Sequence, residues 1–455
     1  MGRKFDFDYI IIGSGPAGTT AALELAKNKR KKIAIVESKN YGGSNLNTRD
    51  IPYAVSLNFV HNFYNLKKFP EIAGQDFHYN FPTIASHQDS VITSLGFGDK
   101  TLYRNAGITC IDGFAYFIDS NTIAVGDDEF SAHYFIIATG AKLNTAGIIG
   151  FDSTVNYLTP DTIIKIRRLP KYTLVVGAGS TGCEIAEYLA KLGSKVILME
   201  SASRILPKED PEASESLRDY FEKELGIIVM ENCQVVEIAS DGNVKRVIFS
   251  TDGREKMVRI DCVVLATGSK PCVSCGLENA GVKFNKAGIV VDKFFQTSIH
   301  NIYAIGDCIG NNSSTERAQY EATLLVNNLL HKSKTPASQV GFPRITATDP
   351  EIAVVGKTEA DLIRAHTKYQ KSIVYLKDLP ASEIYQNDYG LVKVLFSPNG
   401  RIIGATIMAP NASLMITEFS IALKNHLSIQ DLADTPHIAN SFNYAIYLAL
   451  KPKSA

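Results

Sequence analysis

Tyr9-Ile10-Ile11-Ile12-Gly13-Ser14-Gly15-Pro16-Ala17-Gly18 is the stretch that decides the fold. The four apolar residues predict a buried strand, the glycines a tight turn, and Thr19 to Lys27 a helix. A second strand, Ile33-Ala34-Ile35-Val36, ends in Glu37. Strand, G-x-G-x-x-G, helix, strand and acid, in that order, make a dinucleotide-binding βαβ unit. The first glycine permits the turn, the second lets a pyrophosphate approach the backbone, and the third brings helix and strand together. The helix N-terminus is then left facing the phosphates. Glu37 stands about 20 residues past the last glycine, suited to a ribose hydroxyl.

The same order recurs downstream. Leu174-Val175-Val176 leads into Gly177-Ala178-Gly179-Ser180-Thr181-Gly182, a helix over Cys183–Lys191, and the strand Val196-Ile197-Leu198-Met199 ending in Glu200. One such fingerprint is weak evidence; two complete units, each with its acid, are not accidental. Two dinucleotide sites suggest an electron relay between a tightly held flavin and an exchanging nicotinamide. Glu200 favours NADH, since a carboxylate repels the 2′-phosphate of NADPH. Arg204 lies close by and keeps NADPH open as the less favoured donor.

Further segments agree. Phe135-Ile136-Ile137-Ala138-Thr139-Gly140 and Val263-Val264-Leu265-Ala266-Thr267-Gly268 are apolar strands ending in one shared turn. Ile302-Tyr303-Ala304-Ile305-Gly306-Asp307 ends in a carboxylate able to accept hydrogen bonds from a polyol such as a ribityl chain.

Bulk properties narrow the function. At 455 residues the chain predicts two or three domains, and 45% hydrophobic with 21% charged residues is globular. Equal numbers of basic and acidic residues, 47 each, argue against nucleic acid or an anionic membrane as the main partner. The basic run Lys27, Lys29, Arg30, Lys31, Lys32 closes a predicted helix, where cations suit the dipole. No segment has the length to span a bilayer, and the basic start runs into a buried strand rather than a signal peptide. Seven scattered cysteines are an odd number and form no secreted disulfide framework, so a cytoplasmic location is expected.

These residues resemble the pyridine nucleotide-disulfide oxidoreductases, the group of dihydrolipoamide dehydrogenase, glutathione reductase and mercuric reductase. The likeness runs through nearly the whole chain and includes Arg204-Ile205-Leu206-Pro207 and Thr348-Asp349-Pro350-Glu351. It implies an α/β fold with two Rossmann-like domains and a C-terminal α/β domain that pairs two copies. The expected boundaries are 1–148 with 270–340 for FAD, 149–269 for NAD(H), and 341–455 for the homodimer interface. The resemblance further implies FAD contacts from Gly13, Gly15, Gly18, Glu37, Gly43, Ser44, Ala115, Thr139, Gly140 and Asp307. For NAD(H) it implies Gly177, Gly179, Gly182, Glu184, Glu200 and Gly268.

The departure from that pattern is at Gly42-Gly43-Ser44-Asn45-Leu46-Asn47-Thr48-Arg49-Asp50-Ile51-Pro52. The family loop reads Gly-Gly-Thr-Cys-x-Asn-x-Gly-Cys-x-Pro-Ser-Lys. In that register Asn45 and Asp50 take the places of the two redox cysteines, and Tyr53 and Ala54 those of the serine and lysine. Glu184, the usual partner of that lysine, is kept. Near the C-terminus, Thr435 and Asn440 stand where the family has an acid/base histidine and its glutamate. His437 is displaced by two residues and is expected at an interface or a helix cap.

Thiol–disulfide exchange needs a thiolate, and neither an amide nor a carboxylate carries two electrons. The leading expectation is a diaphorase- or oxidase-type flavoenzyme passing hydride from NADH to FAD and on to a quinone, dye or oxygen. Asn45, Asp50 and Glu184 are its candidate catalytic residues, and Asp50 is expected to lower the flavin potential. Asp50 as a helix N-cap or first-turn residue is the competing reading. Two other functional readings stay open: a non-catalytic FAD/NADH-binding scaffold or sensor, and a disulfide reductase using a displaced Cys272-Val273-Ser274-Cys275 pair. No metal site is expected, since two cysteines do not close one.

Overall fold

The computed structural model describes residues 4–66, 81–96, 98–145, 147–150, 157–310, 314–331, 334–338 and 340–451; the basic start Met1-Gly2-Arg3 lies outside them. The chain divides into two compact units. The first contains residues 1–56, 82–144 and 269–338, the second residues 57–81, 145–268 and 339–455.

In the first unit the apolar runs become the centre of a seven-stranded sheet. Strand Phe7–Ile12 lies between Ile33–Glu37 and Asp128–Ile137, parallel to both. Ile108–Asp112 extends one edge, and Ile302–Ala304 adds to Asp128–Ile137, also in parallel. The first half of Asp128–Ile137 turns instead to an antiparallel meander with Thr122–Val125 and Ala115–Asp119. Alternate side chains of a strand point to opposite faces. Ile11, Ile35 and Ile136 therefore join Ala21, Leu25 and Leu325 of helices Pro16–Ala26 and Thr315–Leu330. Ile10, Ile12, Val36, Phe135 and Ile137 face the other way, toward Phe117 and Ile123. Burial on both faces is why these strands read as unbroken apolar runs.

The second unit repeats the parallel arrangement in four strands, ordered Ile228–Met230, Lys195–Met199, Tyr172–Val176 and Cys262–Leu265. Helix Ser180–Leu192 follows the second glycine loop and stops at Gly193, whose left-handed backbone (φ +108°) suits glycine. A three-stranded antiparallel sheet spans Gln234–Asp241, Val244–Thr251 and Arg254–Ile260. A five-stranded antiparallel sheet runs Arg344–Thr346, Glu351–Gly356, Ile402–Ala409, Leu391–Phe396, Gln370–Tyr375. Helices Ala412–Lys424 and Tyr444–Leu450 cover it through Phe419, Ile416 and Ile446.

Candidate active site

The two glycine loops share one geometry. A Cβ on Gly18 would sit 1.9 Å from the Gly13 carbonyl oxygen, and one on Gly182 would sit 1.8 Å from that of Gly177. The third glycine of each loop is thus a packing requirement. A Cβ on the middle glycine, Gly15 or Gly179, would meet nothing within 4 Å. These two glycines are also the N-caps of their helices and neither has a side-chain cap, so the first-turn N–H groups have no capping side chain. Open space above uncapped amides is what a pyrophosphate requires.

Each terminal acid is held by its own loop. Glu37 accepts from Ser14 N–H (3.0 Å), Ser14 Oγ (2.7 Å) and Lys39 N–H (2.9 Å). Glu200 accepts from Ala178 N–H (2.7 Å), Ser201 Oγ (3.1 Å) and Ala202 N–H (2.8 Å). A carboxylate offers about four lone pairs, so each acid is oriented and keeps room for one further donor. Arg204 reaches away from this role, donating to the carbonyls of Pro207 (3.2 Å) and Glu209 (3.0 Å).

The Gly42–Pro52 loop folds back onto the first fingerprint. Gly43 has φ +64° and its Cβ position lies 2.7 Å from Gly15 Cα, so only glycine permits the contact. Asn47 Nδ2 fastens the loop by donating to the carbonyls of Tyr41 (2.9 Å) and Gly43 (2.8 Å). Ser44 is exposed at the start of the short helix Gly43–Asn47. Thr139 Oγ1 donates to the Cys272 carbonyl, and Cys272 N–H donates to the Gly140 carbonyl. The Thr139–Gly140 turn is thereby clamped, with open space at the Cβ position of Gly140. Ala115 is 4% exposed, its methyl buried with Phe117 and Ile123, so its backbone is the part a ligand would meet. Asp307 lies in the short 3-10 turn Gly306–Ile309, where Gly306 N–H donates to the buried Glu321 and Arg317 pairs with that acid at 3.0 Å.

The two positions read as cysteine replacements are in contact. Asn45 Nδ2 donates to Asp50 Oδ2 at 2.6 Å and to Thr315 Oγ1 at 2.7 Å, while Thr315 Oγ1 donates to Asp50 Oδ2 at 2.7 Å. Asp50 does open helix Asp50–Leu66, but its carboxylate serves this triangle. Thr315 was not visible in the sequence: it carries no motif and is 265 positions from Asp50.

In the second unit, Glu184 Oε1 accepts from Ala347 N–H at 2.8 Å. Further along the same helix, the fully buried Glu187 bonds Asp349 N–H, Lys191 (3.0 Å) and His61 Nε2 (3.3 Å). Lys191 continues to Asp349 Oδ2 at 3.2 Å. Glu187 and Lys191 recur at helical spacing on the buried face of that helix, with the half-buried Glu184 one turn earlier, a charge pattern legible in the sequence. His437 is neither a helix cap nor exposed: Nδ1 meets the Thr435 carbonyl at 2.8 Å and Nε2 meets Glu418 at 3.0 Å.

Burial works against a thiolate at Cys262, Cys272, Cys275 and Cys308. Burial pushes Cys275 and Cys308 up to about 12 and Cys262 up to about 11. Burial also raises Cys272, against the opposing pull of Lys142 and Lys39. Among the described residues no group of three or more His, Cys, Asp or Glu is arranged to hold a metal ion.

Comparison with known proteins agrees with this architecture. The family model described as pyridine nucleotide-disulphide oxidoreductase matches residues 7–322, and that of the family's dimerisation domain matches residues 342–449. A mercuric reductase of Streptomyces lividans is 31% identical over 456 residues, covering 97% of this chain and 95% of the relative. A dihydrolipoyl dehydrogenase of Bacillus subtilis is 28% identical, covering 94% and 93%. Among solved structures, the HOCl-induced flavoprotein disulfide reductase RclA from Escherichia coli has a TM-score of 0.86 at 24% identity, covering 98% of this chain and 99% of RclA. LpdA from Mycobacterium tuberculosis has a TM-score of 0.85 at 24% identity, covering 97% and 99%. At that identity the two structures speak for the fold alone. Family model and relatives together place the chain in the pyridine nucleotide-disulphide oxidoreductase family.

Proposed function

We propose that the protein is an NADH-dependent flavoprotein oxidoreductase that delivers electrons to a small acceptor other than a disulfide. The carrying observation is the hydrogen bond between Asn45 and Asp50, the two residues that the resemblance sets against the family's redox cysteines. The raised thiols of Cys272 and Cys275 support the same reading, because a displaced pair would need a thiolate.

Members of the family bind FAD and NAD(P)H. The residues of this chain fit both, as the open middle glycines and uncapped helix starts attest. Residues 1–148 with 270–340 would hold FAD, and residues 149–269 would hold NADH. Gly13, Gly15, Gly18, Gly43 and Ser44 would surround the flavin pyrophosphate, Glu37 a ribose and Asp307 the ribityl chain. Gly177, Gly179, Gly182 and Gly268 would line the nicotinamide nucleotide, with Glu200 on a ribose and Arg204 committed elsewhere. Bound FAD supplies the exchange between a two-electron donor and one- or two-electron acceptors. Asn45 and Asp50 shape the acceptor site, while Glu184 anchors the backbone at Ala347.

Residues 341–455 would pair two copies. Leu414 and Ile421, on helix Ala412–Lys424, are 75% and 55% exposed and Ile438 is 75% exposed, as a face awaiting a second chain would be. Sedimentation at micromolar concentration tests this: a monomer would reject it.

The test of the main reading is anaerobic mixing of FAD-loaded protein with NADH, followed by an acceptor screen. Bleaching of the oxidised flavin, with turnover on quinone or dye and none on lipoamide or glutathione disulfide, is expected. Bound NADH without bleaching would indicate a scaffold instead. Efficient disulfide reduction would return Cys272 and Cys275 to the centre.

A further inference from the structure

The triangle of Asn45, Asp50 and Thr315 has a one-sided chemistry. Every donor it contains is spent inside it: Asn45 Nδ2 on both partners, and the Thr315 hydroxyl on Asp50 Oδ2. Among the described residues, Asp50 Oδ1 and Asn45 Oδ1 receive no hydrogen bond. Asp50 is exposed and Asn45 and Thr315 are half-buried, so these oxygens belong to an accessible site. What is offered outward is a carboxylate oxygen and an amide oxygen, both acceptors, with one negative charge.

Neighbouring charges leave that sign standing. Glu316, beside Thr315, is exposed and acidic. Arg317 is bound to Glu321 at 3.0 Å. Arg49 precedes Asp50 in the chain and is the one other cation adjoining the triangle in sequence. The whole chain has zero net charge, so no global field overrides a local one.

We infer that the acceptor site selects cationic, N–H- or O–H-bearing electron acceptors over anionic ones, with Thr315 as the residue that positions Asp50 and Asn45 for it. This rests on the oxidoreductase reading above and names the substrate class of that same site. The carbonyl oxygens of a quinone would find no donor here, whereas an ammine or amino group would find two acceptors. The overall reaction with a one-electron acceptor is balanced: one NADH yields NAD+ and one proton, and two acceptor molecules each gain one electron.

The experiment compares NADH-driven reduction of hexaammineruthenium(III), ferricyanide and neutral 1,4-benzoquinone by the FAD-loaded protein. Each kcat/KM is expressed relative to that of benzoquinone. For Asp50→Asn the relative value for the ruthenium cation should fall roughly 70-fold at low salt and that for ferricyanide rise by a similar factor, the Coulomb effect of one charge on a trivalent ion about 5 Å away in water. In the parent protein, added salt should slow the cation and speed the anion, and both slopes should flatten in Asp50→Asn. Thr315→Val should raise KM for the cation at little change in kcat while keeping the sign of the salt slope; Thr315→Ser should restore the parent KM. Equal changes for cation, anion and neutral acceptor would overturn the inference, as would a Thr315→Ser variant no better than Thr315→Val. If NADH bleaches the flavin and benzoquinone turns over without any charge preference, only the cation selectivity fails. If the flavin does not bleach, the oxidoreductase reading itself has failed.

Discussion

Asn45 donates through Nδ2 to Asp50 Oδ2 at 2.6 Å, so the two residues that the family pattern sets against its redox cysteines touch through a hydrogen bond. The backbone that brings them together is intact: Gly43 against Gly15, and Asn47 fastening Tyr41 and Gly43. Asn45→Cys combined with Asp50→Cys should therefore form a disulfide under mild oxidation. The parent has seven free cysteines, so thiol titration in denaturant without reductant should find seven thiols. The double variant should also give seven when oxidised and two more after reduction. Nine thiols under both conditions would mean that the loop no longer holds the geometry of a disulfide.

The Cys272–Cys275 pair should be dispensable. Alkylation requires thiolate, and burial holds both thiols above their ordinary range, Cys275 at about 12. Iodoacetamide at neutral pH should react slowly with the folded protein. Cys272→Ser should keep NADH-dependent turnover close to the parent value. A collapse of turnover in Cys272→Ser would make the displaced dithiol the better account.

The fingerprint glycines divide into two kinds, and alanine scanning should separate them. Gly18→Ala places a Cβ 1.9 Å from a backbone oxygen and should destabilise the first unit by about 4 kcal/mol or more, the range of severe backbone clashes. Gly15→Ala meets nothing within 4 Å and has extended backbone, so its cost should stay within about 1 kcal/mol. The latter should nevertheless lose most of its FAD, read as flavin absorbance retained after gel filtration. Full flavin retention in a stable Gly15→Ala protein would remove the pyrophosphate from that loop.

The sheet cores and glycine turns were legible in the sequence because each is set by neighbours in the chain. Predicted strand Tyr9–Ile12 lies within Phe7–Ile12, and predicted helix Cys183–Lys191 lies within Ser180–Leu192. Glu37 and Glu200 were found by spacing as candidates for a ribose hydroxyl, and each also accepts a backbone N–H from its own glycine loop, which spacing does not announce. Side-chain partnerships formed across long separations were not legible. Asn45 and Asp50 could be placed by register, yet Thr315, the third corner, comes from a helix that only the folded sheet brings near. His437 has no partner legible in sequence because it lies in a loop and Glu418 sits 19 positions earlier, on helix Ala412–Lys424. Strand Leu391–Phe396 is apolar in sequence apart from one lysine, and nothing local says that the lysine is paired.

That lysine supports the last prediction. Lys393 is completely buried, and its ammonium lies 2.6 Å from Glu359, 2.7 Å from Glu212 and 3.5 Å from Asp210. Asp210 is itself buried and takes hydrogen bonds from Thr406 Oγ1 and Glu359 N–H. The cluster thus ties helices Pro211–Lys223 and Glu359–Arg364 to the five-stranded sheet. Removing one member of a buried ionic group leaves its partners uncompensated, so Lys393→Met should cost about 3–5 kcal/mol in urea unfolding at neutral pH. Burial acts to raise Glu359, but hydrogen bonds from Lys393, Tyr369 and Lys371 outweigh it and bring its carboxyl down to about 2 from an ordinary 4.5. A carboxyl lowered by folding stabilises the native state fully above its unfolded value. That stability drains away as pH falls from about 4.5 to about 2. The parent should therefore lose stability steeply across that interval, and Lys393→Met should show a shallower acid limb because Glu359 has lost its nearest cation. Parallel acid limbs in the two proteins would show that Lys393 does not hold Glu359 in its ionised form.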